Sequence, residues 1–330
     1  MVALAFTGCG GESKPESEQE GATNQSEQQD EKLKVALLLD GNIKDGGWNQ
    51  LPYEGLMKAV EDFGIIGDYT ELIPQNEIVA VMRDYANKGY DLIIANGYPF
   101  ADALLQVSEE YPDIMFVGTN VPKAGPNLAT ARIVYGINGY LAAPLLAEMT
   151  ETKKVGYVCA VQSPQMDCEI GNMEAKLKEL DPEIELKGVY TGDWSDVNKA
   201  KQAATSLADE GFDIIINNID GATAAIAQMA KEKGIYVVGW AGDEAKLDPD
   251  TILTSLIIKN DIVVYSAIEQ ILNGGYTPGK SIQMGLDTGA LGFGEFGNAV
   301  PQELKDELLA EQEKVQNGEV VVNTAVEGWD

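Results

Sequence analysis

From Leu33 onward, short apolar runs alternate with segments of helical period. The runs Lys34–Leu39, Leu92–Ala95, Met115–Gly118, Val155–Cys159, Ile214–Ile216 and Tyr236–Gly239 are rich in β-branched residues and apolar almost throughout. Strands of a parallel sheet covered on both faces have this pattern, and each run is predicted to be one. Between them, Tyr53–Phe63, Glu77–Lys88, Ala101–Tyr111, Glu169–Leu180, Val197–Glu210 and Thr223–Lys233 carry apolar residues at helical spacing. Several of these segments stop at a Gly beyond Lys or Glu, as in Lys88-Gly89, Glu210-Gly211 and Lys233-Gly234. The alternation predicts βαβ units and a parallel sheet.

The rhythm comes in two rounds. Asn87-Lys88-Gly89-Tyr90-Asp91-Leu92-Ile93-Ile94 is echoed by Asp209-Glu210-Gly211-Phe212-Asp213-Ile214-Ile215-Ile216. Two similar α/β lobes with a cleft between them fit this better than one large sheet. Ligands of open parallel sheets bind beyond the carboxyl ends of the strands, so the residues just after each strand are the candidates for chemistry.

Composition narrows that chemistry. The 330 residues hold 23 Lys+Arg against 53 Asp+Glu, a net charge of −30, and no histidine. Such an acidic chain is a poor partner for nucleic acid or an anionic membrane surface. The missing histidine excludes a Ser-His-Asp triad, a Cys-His pair, a His-ligated zinc and an imidazole proton shuttle. With so many acids, carboxylate pairs in sequence say little about glycosidase chemistry. Gly289-Ala290-Leu291-Gly292-Phe293-Gly294 does not open a helix after a βαβ strand, as a dinucleotide or phosphate loop would. Neither a metal nor a cofactor is expected, and the reaction expected is binding, not catalysis.

The start of the chain has its own character. Val2-Ala3-Leu4-Ala5-Phe6-Thr7-Gly8-Cys9 resembles the end of a bacterial lipoprotein signal peptide, which makes Cys9 the expected lipidation site. Residues 10–32 hold seven acids, two lysines and no large apolar residue, the composition of a solvated tether. Cys159 and Cys168 form no CxxC, and they either pair with each other or stand as two buried thiols.

The strand-end residues carry a family resemblance. Lys44-Asp45-Gly46-Gly47-Trp48-Asn49-Gln50, running into Tyr53-Glu54-Gly55-Leu56, resembles the D-x-S-F-N-Q…YEG motif of the basic membrane protein (BMP) lipoproteins. These are substrate-binding proteins of ABC transporters, and several bind purine nucleosides. Further matches are Gly97-Tyr98 with Phe100-Ala101-Asp102-Ala103-Leu104, and then Tyr190-Thr191-Gly192-Asp193-Trp194-Ser195-Asp196. Gly239 to Asp243 and Thr254-Ser255-Leu256-Ile257-Ile258-Lys259 continue the series. Departures are Trp48 for the family's Phe, Asn120 for its acid after the third strand, and no basic residue in Ser163-Pro164-Gln165-Met166-Asp167.

The resemblance implies a two-lobe α/β periplasmic-binding-protein fold, type I-like, in which parallel sheets flanked by helices enclose a cleft. The N-terminal lobe is expected over about 33–140 plus a returning segment near 256–280. The second is expected over about 141–255 plus about 281–330, including a C-terminal helix Gln302–Asn317. It further implies an extracytoplasmic, lipid-anchored, monomeric partner of an ABC permease that closes on a small neutral ligand. A purine nucleoside is the leading candidate. A sugar or flavin as ligand, a ligand-sensing lipoprotein of the same fold, and a carboxylate-based nucleoside hydrolase are the alternatives.

Such a ligand asks for a flat apolar clamp, amides for base edges and carboxylates for sugar hydroxyls. Trp48 and Tyr98 could supply the clamp or pack on their own lobe. Asn49 could meet a base edge or cap the helix that starts near Pro52. Asp45 is poised between ligand contact and capping. Asn120 follows its strand at the position of the family's acid. On the other lobe Asp220 and Asp243 are candidates for a diol, Trp194 for a ring face or a helix anchor. Lys259, after the crossover segment Ile252–Ile258, resembles the family's lysine and could pair with Asp243 or bond a ligand oxygen.

Overall fold

Five- and six-residue apolar runs become strands here because helices cover them on both faces. The computed structural model describes residues 32–329; Cys9 and the acidic stretch before Lys32 lie outside the described residues. The first half of the chain runs β1 (Lys34–Leu38), α1 (Gln50–Phe63), β2 (Ile66–Thr70), α2 (Ile78–Asn87), β3 (Leu92–Asn96), α3 (Ala101–Glu110), β4 (Met115–Thr119), β5 (Leu128–Ile133) and α4 (Ile137–Met149). The second continues β6 (Lys154–Cys159), α5 (Pro164–Leu180), β7 (Glu185–Tyr190), α6 (Val197–Asp209), β8 (Ile214–Asn218), α7 (Thr223–Lys233) and β9 (Tyr236–Ala241). It closes with β10 (Ile252–Ile258), α8 (Asn260–Leu272), β11 (Ser281–Met284), β12 (Leu291–Phe293) and α9 (Gln302–Gln316).

Two six-stranded sheets result, in the orders β11-β5-β4-β3-β1-β2 and β12-β10-β9-β8-β6-β7. Every neighbour pair is parallel except β12 on β10. The fold is α/β with two helix-flanked, mainly parallel sheets, as expected. All six predicted strands form, and the predicted helices form with starts displaced by at most five residues: α5 begins at Pro164 rather than Glu169.

The echo between the rounds has a physical basis. Asp91 accepts from the Lys34 backbone N–H (2.8 Å), tying β3 to the start of β1. Asp213 accepts from the backbone N–H groups of Glu151 (2.7 Å) and Thr152 (2.8 Å), just before β6. The same Gly-aromatic-Asp turn thus pins a neighbouring strand in each lobe.

The segment Ile252–Ile258 corrects an expectation. It is a fully buried strand of the second sheet and not a crossover, because a buried run paired on both sides satisfies its backbone inside the sheet. Sheet membership differs from the expected lobe limits at the other end too, since Ser281–Met284 pairs with β5 of the first sheet. The chain passes between sheets at Val134–Gly136, around Lys259, and between β11 and β12. These passages are laced together: Lys259 donates its backbone N–H to Ala290 O (2.8 Å), and Asn138 Nδ2 to Ile257 O (2.9 Å).

Helix α4 lies against α5 so closely that a Cβ on Gly139 would meet the backbone carbonyl of Glu169. Only glycine allows this approach. Cys159 and Cys168 are both free thiols; Cys159 is buried and Cys168 points its Sγ toward Asn323 O at 3.7 Å.

Candidate functional site

The carboxyl ends of the strands of both sheets face one cavity of about 320 Å³, within the range of roughly 300–1,000 Å³ usual for small-ligand sites. From the first lobe it is walled by the loop after β1 (Asp40 to Asn49), by Tyr98 and Pro99 after β3, and by Asn120 after β4. The second lobe adds 161–166 after β6, Trp194 and Ser195, the turn 218–221 after β8, and Trp240, Ala241 and Glu244 at the end of β9. Tyr135 and Ile258, on two of the passages, complete the lining.

Seven of the nine sequence-predicted ligand residues line this cavity: Asp45, Trp48, Asn49, Tyr98, Asn120, Trp194 and Asp220. Asp45 spends its carboxylate on its own turn. Oδ1 accepts from the backbone N–H of Gly47 (2.9 Å) and Gln50 (3.1 Å), and Oδ2 from the N–H of Asn49 (2.8 Å) and its side-chain Nδ2 (3.0 Å). It caps α1 from four residues before the cap position, where a negative charge also suits the helix dipole. Asn49 is buried, its Oδ1 accepting from Gly41 N–H at 3.3 Å. Asn120 is an internal tie, its Nδ2 donating to Asn260 Oδ1 (2.9 Å) and its Oδ1 accepting from Ile133 N–H (3.0 Å).

Trp48 is half-buried with its carbonyl held by Asn96 Nδ2 (3.1 Å), while Tyr98 stands 52% exposed at the mouth. Trp194 is half-buried, and its carbonyl accepts from Asp220 N–H at 2.9 Å.

Asp243 and Lys259 lie outside the lining. The Asp243 carboxylate turns away to accept from the Glu295 backbone N–H (3.2 and 3.3 Å), bracing the loop after β12. Lys259 is exposed at the start of α8, near Asp261, whose carboxyl is raised by burial with the Lys259 charge opposing the rise. The turn after β9 decides this outcome. Gly242 N–H reaches back to Trp240 O (3.0 Å) around Ala241 at φ 66°, a strained conformation for alanine. It puts Glu244, the next acid along, into the cavity in place of Asp243.

Sequence reasoning missed Asp40, Gln165, Asn218, Trp240 and Glu244. Glu244 Oε2 accepts from Thr223 Oγ1 (2.7 Å) and from Trp240 N–H (3.3 Å). Burial pushes its carboxyl up to about 7 against those two bonds. Burial likewise lifts Asp40 to about 6, with the charge of Asp45 adding to the rise. Asp220 is held well above the ordinary carboxyl range, first by burial and then by the charges of Asp45, Asp40 and Glu244. Asn218 donates through Nδ2 to Tyr157 Oη (2.9 Å), and Trp240 meets Tyr157 edge-on at 5.8 Å between centroids.

The lobes touch beside the cavity. Gly47 of the first lies against Ala241 and Gly242 of the second, and a Cβ on Gly242 would run into the carbonyl of Gly46.

A cavity between two parallel sheets, walled by loops from both, defines a type I-like periplasmic-binding-protein fold serving as a solute-binding protein. The family model described as ABC transporter substrate-binding protein PnrA-like (Bmp) matches residues 32–325, and the chain belongs to this family. The chain is 26% identical over 277 residues to the transcriptional activator protein Med of Bacillus subtilis (strain 168), covering 83% of this chain and 86% of that one. It is 25% identical over 294 residues to a purine-binding protein of Brucella abortus (strain 2308), covering 88% and 83%. A solute-binding protein of an ABC transporter system from Aeropyrum pernix K1 superposes with a TM-score of 0.76 at 18% identity, over 89% of this chain and 94% of that one. That likeness shows the fold.

Proposed function

We propose that the protein captures a purine nucleoside outside the cytoplasm and delivers it to an ABC permease, anchored by lipid on Cys9. The observation that carries this reading is the cavity wall, where aromatic residues (Trp48, Tyr98, Trp194, Trp240) stand among acceptors (Asp40, Asp220, Glu244) and amides (Gln165, Asn218). Rings clamp a base by stacking, and carboxylates accept from sugar hydroxyls. The purine-binding relative supports the ligand class. Among the described residues no helix is long and apolar enough to cross a membrane. Closure about the passages at 134–136, 259 and 285–290 would trap the ligand, and the complex would then dock as a monomer.

Titration calorimetry with adenosine, guanosine and inosine tests the reading. Trp48→Ala is expected to weaken the nucleoside that binds by about 10- to 100-fold, the effect of losing one stacking face. Failure of all three nucleosides, with a sugar or flavin binding instead, refutes the ligand assignment.

A second reading has its own support. The Bacillus subtilis relative is a transcriptional activator by name, which favours a receptor that reports on its ligand rather than feeding a permease. Deletion of the permease separates the two readings: uptake is lost under the first and unchanged under the second.

A further inference from the structure

The wall of the cleft is unusual in its charge. Asp40 and Asp45 of the first lobe and Asp220 and Glu244 of the second line one cavity, to which no Lys or Arg contributes. Asp45 is saturated by four N–H donors of its own turn. Asp220 is not: the charged groups acting on it are Asp45, Asp40 and Glu244, all of its own sign. Glu244 uses Oε2 for Thr223 and Trp240 and has Oε1 to spare. A separate observation points the same way. Gln165, 8% exposed, lines the cavity, and its Oε1 has no hydrogen-bond partner among the described residues.

Once ionised, the carboxyls among these groups are acceptors in search of donors and negative charges in search of a positive one. A neutral solute answers only part of that demand. Its hydroxyls bond one or two carboxylates and leave the mutual repulsion of the others in place, in a cleft where all four are half-buried. A cation relieves all of them together. The ring faces of Trp48, Trp194 and Trp240 belong to the same logic, because cations are drawn to the faces of indoles and most strongly where water is excluded. The carboxyls do not converge as metal ligands do, since no group of three or more His, Cys, Asp or Glu among the described residues could hold a metal ion.

We infer that the cleft selects a flat organic cation, a heteroaromatic ring carrying positive charge, seated between the indoles with its charge facing Asp220 and Glu244. This rests on the reading of the cleft as a solute site and differs from the nucleoside reading in ligand class: it takes positively charged rings, with or without a sugar, in place of neutral ones.

Two matched pairs differing in ring charge test it by titration calorimetry on the full chain at pH 8. They are 1-methylnicotinamide against nicotinamide, and nicotinamide riboside against its reduced, uncharged form. The cation of a pair is expected to bind at least tenfold tighter than its neutral partner. Asp220→Asn and Glu244→Gln, which keep shape and remove charge, are expected to cut that ratio several-fold. Cation affinity is expected to rise from pH 5.5 to 8 as the carboxyls ionise, and neutral affinity to stay level. Equal or weaker binding of the cations, or no binding of either cation at millimolar concentration, overturns the inference. The outcomes separate from those of the nucleoside reading: a neutral purine nucleoside that binds without charge preference keeps that reading and ends this one. Cations that bind where adenosine, guanosine and inosine fail do the reverse.

Discussion

Gly242→Val is expected to hold the two lobes apart and to weaken ligand binding by about 10- to 100-fold, while each lobe keeps its fold. Gly242 faces the carbonyl of Gly46 across the mouth of the cleft, with no room for a Cβ. Overpacking of this kind costs about 1–3 kcal/mol, and each 1.4 kcal/mol is about tenfold in affinity. The contact exists only when the lobes meet, so the penalty falls on the closed state and spares the open one. Circular dichroism should match the wild type, calorimetry should report the lost affinity, and solution scattering should show that the variant stays expanded at ligand concentrations that contract the wild type. A variant that contracts like the wild type would show that the Gly46–Gly242 contact has no part in closure.

Glu169→Gln is expected to flatten the dependence of thermal stability on pH. Glu169 is fully buried where α4 meets α5, and it accepts from the Gly139 backbone N–H at 2.7 Å. Burial pushes its carboxyl up to about 7, opposed by the N–H groups of Gly139 and Gly136. The folded state therefore holds this proton more tightly than the unfolded chain. The stabilisation is complete below the unfolded value of 4.5 and is lost as pH rises through about 7. The difference is roughly 3 kcal/mol over that window. Gln keeps an acceptor for Gly139 and has no proton to lose. Asp40, Asp220 and Glu244 are raised in the same direction, so the variant should still lose some stability toward pH 8, less steeply than the wild type. Parallel melting curves for the two proteins from pH 4.5 to 8 would refute it.

Much of this architecture was legible because buried parallel strands advertise themselves. Leu92 to Ala95 and Ile214 to Ile216 can only be interior strands, and the Gly-aromatic-Asp turn before each marks its start. The elements that escaped notice are those whose surroundings blur the pattern. β2, Ile66-Gly67-Asp68-Tyr69-Thr70, is an edge strand with exposed positions, and α4 is apolar on nearly every side because other elements surround it. Ile252–Ile258 reads alike as a crossing or as a strand until its partners are known.

At the site, Trp48 was within reach because its motif marks the loop before α1, and Asp220 because it lies two residues beyond β8. Glu244 was not. Asp243 and Glu244 differ in direction only because Ala241 takes a positive φ, which no local rule assigns to alanine. Asp40 did carry the strand-end mark, since it directly follows the run Lys34–Leu39, but it belongs to no motif and so was passed over.

The weave of the two sheets bears on how the protein is made. The first sheet lacks its outer strand until Ser281–Met284 is available, although β5, the strand it pairs with, ends at Ile133. At roughly 5–20 residues per second of synthesis, β5 waits on the order of ten to thirty seconds with one edge unpaired. Exposed strand edges invite pairing with other chains. The first lobe to emerge from the ribosome is therefore among the last to be finished, and its open β5 edge is where a chaperone has most to protect.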